Sequence, residues 1–330
     1  LSWYASDGED EEQTDGIGAS ETMELLEKFS KNNENFFLAY GLYRPHIPFV
    51  APKKYFHMYD EQKIEIPSNG DDFLLTVSDP AKKSLRARKE QINLDYNLKK
   101  RIKHAYYATT SFVDAQVGRV LEKLKETGLD KNTIVIFTSD HGYHLGEKGH
   151  WQKQTLYERS TRVPLIIAGP GLLSNKKDMS TPVELVDIYK TITDLLGFET
   201  PLFVQGESLK PILTKAEKIN KSSALSELQV YVNGNLAQGY SIKTSRYRLI
   251  EWKYKNNTYY ELYDHKFDKI ESNNLSNNSS YQSIIESMKI ELKKRVKQAS
   301  LTPQGIGKQI KNAQPTFEPL RIHSRPKSKN

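Results

Sequence analysis

The sequence predicts an α/β fold, with a mixed sheet flanked by helices and a smaller antiparallel sheet toward the C-terminus. Three observations carry this. The run Thr133-Ile134-Val135-Ile136-Phe137 is short, apolar and β-branched, the pattern of a strand buried on both faces. Apolar residues recur at three-and-four spacing from about Leu98 to Thr127, which predicts a long amphipathic helix closed by Gly128. Past Pro211 the texture changes to short, partly aromatic runs separated by turn residues, as in a small antiparallel sheet.

The remaining elements follow in chain order. Glu21 to Phe29 has helical spacing, with Ser20 as its expected N-cap. Phe36 to Tyr40 reads as a buried strand running into Gly41–Phe49, where Pro45 and Pro48 stiffen a loop. Residues 60–93 are polar and read as a surface excursion. After the strand ending near Asp140, Val163–Ala168 predicts another strand, and Val183–Leu196 a helix ending at Gly197. The later runs are Leu225–Val232, Gly239–Thr244, Tyr247–Trp252 and Tyr259–Tyr263, followed by a helix near Ile284–Ala299. Strand, helix, strand, helix argues for a layered sheet.

Composition narrows the class. The 330 residues, 37% hydrophobic and 27% charged, suffice for one large or two smaller globular units. No apolar run is long enough to span a bilayer. The acidic opening, without an initiator Met or a signal pattern, is expected to be the interior of a longer chain. There is no cysteine, which excludes disulfides, thiolate metal sites and a Cys nucleophile within these residues. The net charge of +7 is concentrated between Lys289 and Lys297 and in the tail, through Lys308, Lys311, Arg321, Arg325, Lys327 and Lys329. Such a face suits a polyanion, or is simply a solvated helix face and tail. The second reading is preferred, and no nucleic-acid motif accompanies the charge.

Chemistry concentrates after two of the expected strands. Asp140 and His141 follow the apolar run directly, and His144, Gly146, Glu147, Gly149, His150 and Lys153 continue the same loop. Ligands of open α/β sheets bind beyond the carboxyl ends of strands, so this loop is one wall of a candidate metal-assisted anion site. Asp140 suits a hard divalent cation, or caps a turn; imidazole is a less usual calcium ligand. His46, in a Pro-braced loop beside Arg44, suits anion binding or proton donation, or is a packed loop histidine. Lys153 offers a positive charge to an anion, or is a solvated lysine.

Phe36–Phe49, Tyr106–Gly149 with Thr138-Ser139-Asp140-His141-Gly142, Val163–Ile166, Val183–Ile188, Gly239–Thr244 and Glu261–Asp264 together resemble the type I sulfatases. The likeness is nearest to the iduronate-2-sulfatase branch and spans all but the tail beyond about residue 300. It implies an alkaline-phosphatase-like fold and a sulfuric ester hydrolase acting on a sulfated saccharide of glycosaminoglycan or algal type. By the same resemblance Asp140 and His141 match late residues of a Ca2+ site, Lys153 a sulfate-contacting lysine, and His46 a histidine that protonates the departing sugar oxygen. It also implies a periplasmic, extracellular or lysosomal location.

One departure stands out. The family's formylglycine arises within a Cys/Ser-X-Pro-X-Arg motif, and an early acidic pair completes the metal site; neither is present. Ser78-Asp79-Pro80, Ser180-Thr181-Pro182 and Ser324-Arg325-Pro326 lack the pattern. The expectation is therefore a fragment without its nucleophile and inactive alone, divided into residues 1–210 (later part of the catalytic domain), 211–300 (smaller subdomain) and 301–330 (basic tail). Two alternatives stay open: a phosphomonoester or phosphonate hydrolase of the same superfamily, and a non-catalytic binder of sulfated glycans.

Overall fold

The computed structural model describes residues 1–67, 70–173, 180–215 and 217–301. The basic tail expected at 301–330, with Ser324-Arg325-Pro326, lies outside the described residues apart from Leu301.

The N-terminal part opens with β1 (Trp3–Ser6), α1 (Thr14–Asn32) and β2 (Phe49–Pro52), β1 and β2 being paired in parallel. α1 starts earlier than expected. Ser20 is not its cap but an internal residue whose hydroxyl bonds back to the Gly16 carbonyl, 3.1 Å away. Then come α2 (Asp79–Leu85) and α3 (Tyr96–Glu126), the long helix that periodicity predicts. Asp95 starts α3 by accepting the Asn97 and Leu98 amides at 2.9 and 3.1 Å. Its stripe of Ile102, Ala105, Ala108 and Phe112 is buried against Phe49 and Ala51 of β2.

Three expectations are corrected here. Phe36–Tyr40 forms no strand. Phe36 stacks on Phe29 of α1 with ring centroids 4.8 Å apart, and Phe37 is 81% exposed, so aromatic packing on a helix replaces a ladder. Residues 60–93 are more than a surface excursion, because Phe73, Val77, Ala81 and Leu85 enter the core. A polar average conceals that apolar set, spaced at every fourth residue.

The third correction concerns β3 (Val135–Thr138). It pairs antiparallel with β6 (Leu165–Ala168), and between them lies the small hairpin β4 (His144–Leu145) and β5 (Trp151–Gln152). β3 is half-buried rather than covered on both faces, and Ile166 of β6 is 57% exposed. Among the described residues only one strand pairs with each, so an apolar run alone does not secure two-sided cover. α4 (Asp187–Leu196) follows, four residues shorter at its start than expected, and Gly197 ends it in the left-handed conformation.

The C-terminal sheet is β7 (Ala224–Val232), β8 (Asn235–Lys243), β9 (Tyr247–Tyr254) and β10 (Asn257–Asp264), an antiparallel meander in sequence order. One face packs Ile242, Leu249 and Leu262 on Ile285, Met288 and Leu292 of α5 (Gln282–Ala299). The other packs Ile250, Trp252 and Tyr263 on Phe73, Ala81, Leu85, Leu156 and Tyr157. The second face therefore couples this sheet to the loop that follows β5.

Candidate active site

The loop beyond β3 carries the site. Gly142 makes its turn possible: a Cβ there would stand 2.2 Å from the Arg159 carbonyl oxygen and 2.6 Å from that of Arg162. Its amide donates to the Ser160 carbonyl at 2.8 Å, docking the loop on the one-turn helix Glu158–Thr161. Ser139 donates to the His141 carbonyl at 3.0 Å.

Three of the four sequence-predicted residues meet at this point. His141 Nδ1 lies 2.8 Å from the Gly142 carbonyl, which can only accept, so Nδ1 carries the ring proton. Nε2 is then an acceptor, and Lys153 Nζ donates to it at 2.5 Å. Asp140 places a carboxylate oxygen 3.6 Å from the same nitrogen, and its side chain is 83% exposed. A carboxylate, an imidazole and an ammonium thus share one mouth at the carboxyl end of β3.

Among the described residues no hydrogen bond or ion pair links His46, the fourth predicted residue, to these three. Its exposed ring turns Nδ1 to the Ile47 carbonyl at 2.7 Å, which leaves Nε2 facing outward as the exchangeable position. Asp15, which sequence reading missed, anchors the loop: its buried carboxylate accepts the Tyr43 and Arg44 amides at 2.8 and 2.9 Å. Arg44 spends its guanidinium on the Val50 and His46 carbonyls, at 3.1 and 3.2 Å, so it braces the loop. An acid in the first turn of a helix reads locally as a favourable N-terminal charge and gives no signal of such a long-range role.

His144 and His150, whose roles the sequence left open, are buried beneath the site with rings 5.0 Å apart. His144 reaches Thr155 at 3.0 Å, and His150 Nδ1 donates to the Leu85 carbonyl at 2.9 Å. Burial holds His144 well below the ordinary imidazole value and lowers His150 to about 4. Both are neutral supports at pH 7.

Asp140 fits a hard cation, being an exposed carboxylate at a loop mouth. His141 fits only once its Nε2 lone pair is released by Lys153. A second group with ligand-like spacing, Glu158, His265 and Glu271, was not singled out in the sequence. There Arg248 already supplies the cation, bonding Glu271 at 2.5 Å and also Glu158. With His265 donating as well, these contacts lower the Glu271 carboxyl to about 2 although burial opposes them.

The mixed α/β core followed by a four-stranded antiparallel sheet is the alkaline-phosphatase-like fold. Residues 3–198 match the family described as Sulfatase, and residues 146–298 match the C-terminal part described for N-sulphoglucosamine sulphohydrolase. The chain belongs to the sulfatase family. It is 36% identical over 275 residues to a sulfatase of Formosa agariphila, covering 82% of this chain and 52% of that protein. Human iduronate 2-sulfatase is 31% identical over 222 residues, covering 57% of this chain and 40% of the relative. The chain thus spans about half the length of the curated relatives it matches. In fold it is similar to a phosphonate monoester hydrolase from Silicibacter pomeroyi, with TM-score 0.77, 24% identity, and coverage of 89% of this chain and 62% of that one. A 2-O GAG sulfatase gives TM-score 0.67 and 23% identity, covering 86% and 63% respectively.

Proposed function

We propose that this chain carries the later half of the site of a Ca2+-dependent sulfuric ester hydrolase acting on a sulfated saccharide. The observation that carries the reading is the meeting of Asp140, His141 and Lys153 at one loop mouth, in a chain of the sulfatase family. In this reading Asp140 and His141 are ligands of the cation, which supplies positive charge to the sulfate oxygens. Lys153 shifts its ammonium from His141 to the sulfate, and His46, protonated at Nε2, gives a proton to the departing sugar oxygen. Residues 1–210 carry the site and 211–300 close one side of it. A location outside the cytoplasm follows from the same likeness.

The nucleophile is assigned to residues outside these 330, because the sequence holds no cysteine and no Ser-X-Pro-X-Arg pattern. A phosphate monoester would meet the same basic groups; the sulfatase relatives favour sulfate. The chain by itself should therefore not turn over an aryl sulfate, and Ca2+ binding is measured with the upstream segment restored, because the early acidic pair that completes the metal site is assigned there too. Calorimetric titration should show binding that Asp140→Asn weakens at least about tenfold, since an amide replaces a charged ligand of a hard cation. Equal affinity in the two proteins would remove Asp140 from the metal site, and Asp140-dependent turnover by the chain would remove the external nucleophile.

A further inference from the structure

The β4–β5 hairpin has His141 just before one foot and Lys153 just after the other. Its tip is held at a long distance by an unusual residue. Lys148 adopts a left-handed backbone conformation (φ 57°) within the turn Glu147–Gly149, and only 8% of it is exposed. Its ammonium lies 3.9 Å from the ring centre of Phe73, 5.1 Å from that of Tyr157 and 5.9 Å from that of Tyr263. It donates to the Ile270 carbonyl at 3.0 Å and also to that of Glu271.

The backbone of Lys148 is clasped as well. Its carbonyl accepts from Arg86 at 2.7 Å. A Cβ on Gly70, itself at φ +70°, would come within 2.6 Å of the Lys148 Cα. A lysine in an aromatic box loses hydration, and the ring faces and carbonyl acceptors offset that loss only in one position of the ammonium. Burial lowers Lys148 to about 8, so it stays charged at pH 7. Its directed contacts set where the hairpin tip sits.

We propose that Lys148 is a positioning residue, whose insertion into the Phe73–Tyr157–Tyr263 box fixes the hairpin so that Lys153 meets His141 at the site. The proposal rests on the reading of Lys153 and His141 as site residues. Its mechanics are those of a short lever. The pairs His144–Gln152 and Leu145–Trp151 make the hairpin one rigid ladder, and Lys153 follows it directly. A shift of the tip is therefore delivered to the Lys153 ammonium. Glu147 steadies the same turn by accepting the Leu145 amide at 2.7 Å and pairing with Arg159 at 3.3 Å.

The test compares Lys148→Met, Lys148→Arg and Phe73→Leu in the 330-residue chain. The acylation rate of the Lys153 amine by an N-hydroxysuccinimide ester is read by mass spectrometry, with exposed Lys63 as internal reference. Urea midpoints are taken in parallel. Lys148→Met fills the box yet loses the directed contacts, so Lys153 should react at least about threefold faster with no fall in the urea midpoint. Lys148→Arg keeps a charged donor and should return the rate to within about twofold of the parent. Phe73→Leu, which removes the nearest ring, should also speed the reaction. An unchanged Lys153 rate in Lys148→Met or in Phe73→Leu would overturn the proposal. So would a faster rate in Lys148→Met matched by a lost midpoint and no rescue by arginine. No outcome depends on sulfate or metal binding, so loss of the sulfatase reading would appear separately, in the Ca2+ titration.

Discussion

Two sheet regions of this chain end up in opposite circumstances: the meander strands, which alternate apolar with polar residues, are sealed, and the almost wholly apolar Val135–Thr138 and Leu165–Ala168 are not. In the C-terminal meander, Ile242, Leu249 and Leu262 are fully buried beneath α5, and Trp252 and Tyr263 are sealed on the other face. In the β3–β6 pair, Val135, Ile136 and Phe137 are only half-buried and Ile166 is 57% exposed. Just after α4, Phe198 and Leu202 are 67% and 73% exposed. The meander folds from strands adjacent in sequence and carries its own covering helix. The pair joins strands some thirty residues apart and has one ladder partner each among the described residues. Local connectivity secures cover, and apolar sequence by itself does not.

The comparison breaks most plainly at Leu249. Leu249→Ala deletes a fully buried side chain between sheet and helix and should cost about 2–5 kcal/mol in urea unfolding. A loss below about 1 kcal/mol would show that the meander is no better sealed than the β3–β6 pair.

Gly142→Ala tests the seam between the regions. The added methyl would press on two backbone carbonyls that have little freedom to retreat. A loss of about 1–3 kcal/mol is expected, with weaker exchange protection of the Gly142 amide. A neutral result would mean that the loop is not docked on Glu158–Thr161.

Acid should act first at the hairpin. Burial lowers both His144 and His150 from 6.5, so their contribution is complete above that value and is lost as pH falls below it, toward about 4 for His150. Glu261, between Tyr157 and Tyr263, is raised by burial from 4.5 to about 7 and works the other way, adding stability as pH falls from 7 to 4.5. Hydrogen exchange between pH 7 and 5 should therefore show His150 losing protection before Leu249. Glu261→Gln should steepen the acid loss of the whole chain. Simultaneous loss at both amides would merge the two regions into one cooperative unit.

The smallest effect is expected at Ile166. Ile166→Ala should cost about 1 kcal/mol or less, because most of the side chain already meets solvent. A larger cost would place a covering partner on that face in solution.

What the sequence determined by itself is what short-range physics governs. The long helix over Tyr96–Glu126 follows from its apolar spacing, and the four C-terminal strands from short runs punctuated by turn residues. Asp140, His141 and Lys153 were legible because they lie within fourteen residues, beyond one recognisable strand. Tertiary structure alone decided the rest. Phe36–Tyr40 is as apolar as a strand but has no ladder partner among the described residues, and its ring packs on α1. The 60–93 segment looks polar, yet it sends Phe73 into the box that receives Lys148, 75 residues later. Asp15 holds the His46 loop from 28 residues away. Burial and partnership are properties of what arrives from elsewhere in the chain, and a residue's own neighbours in sequence do not encode them.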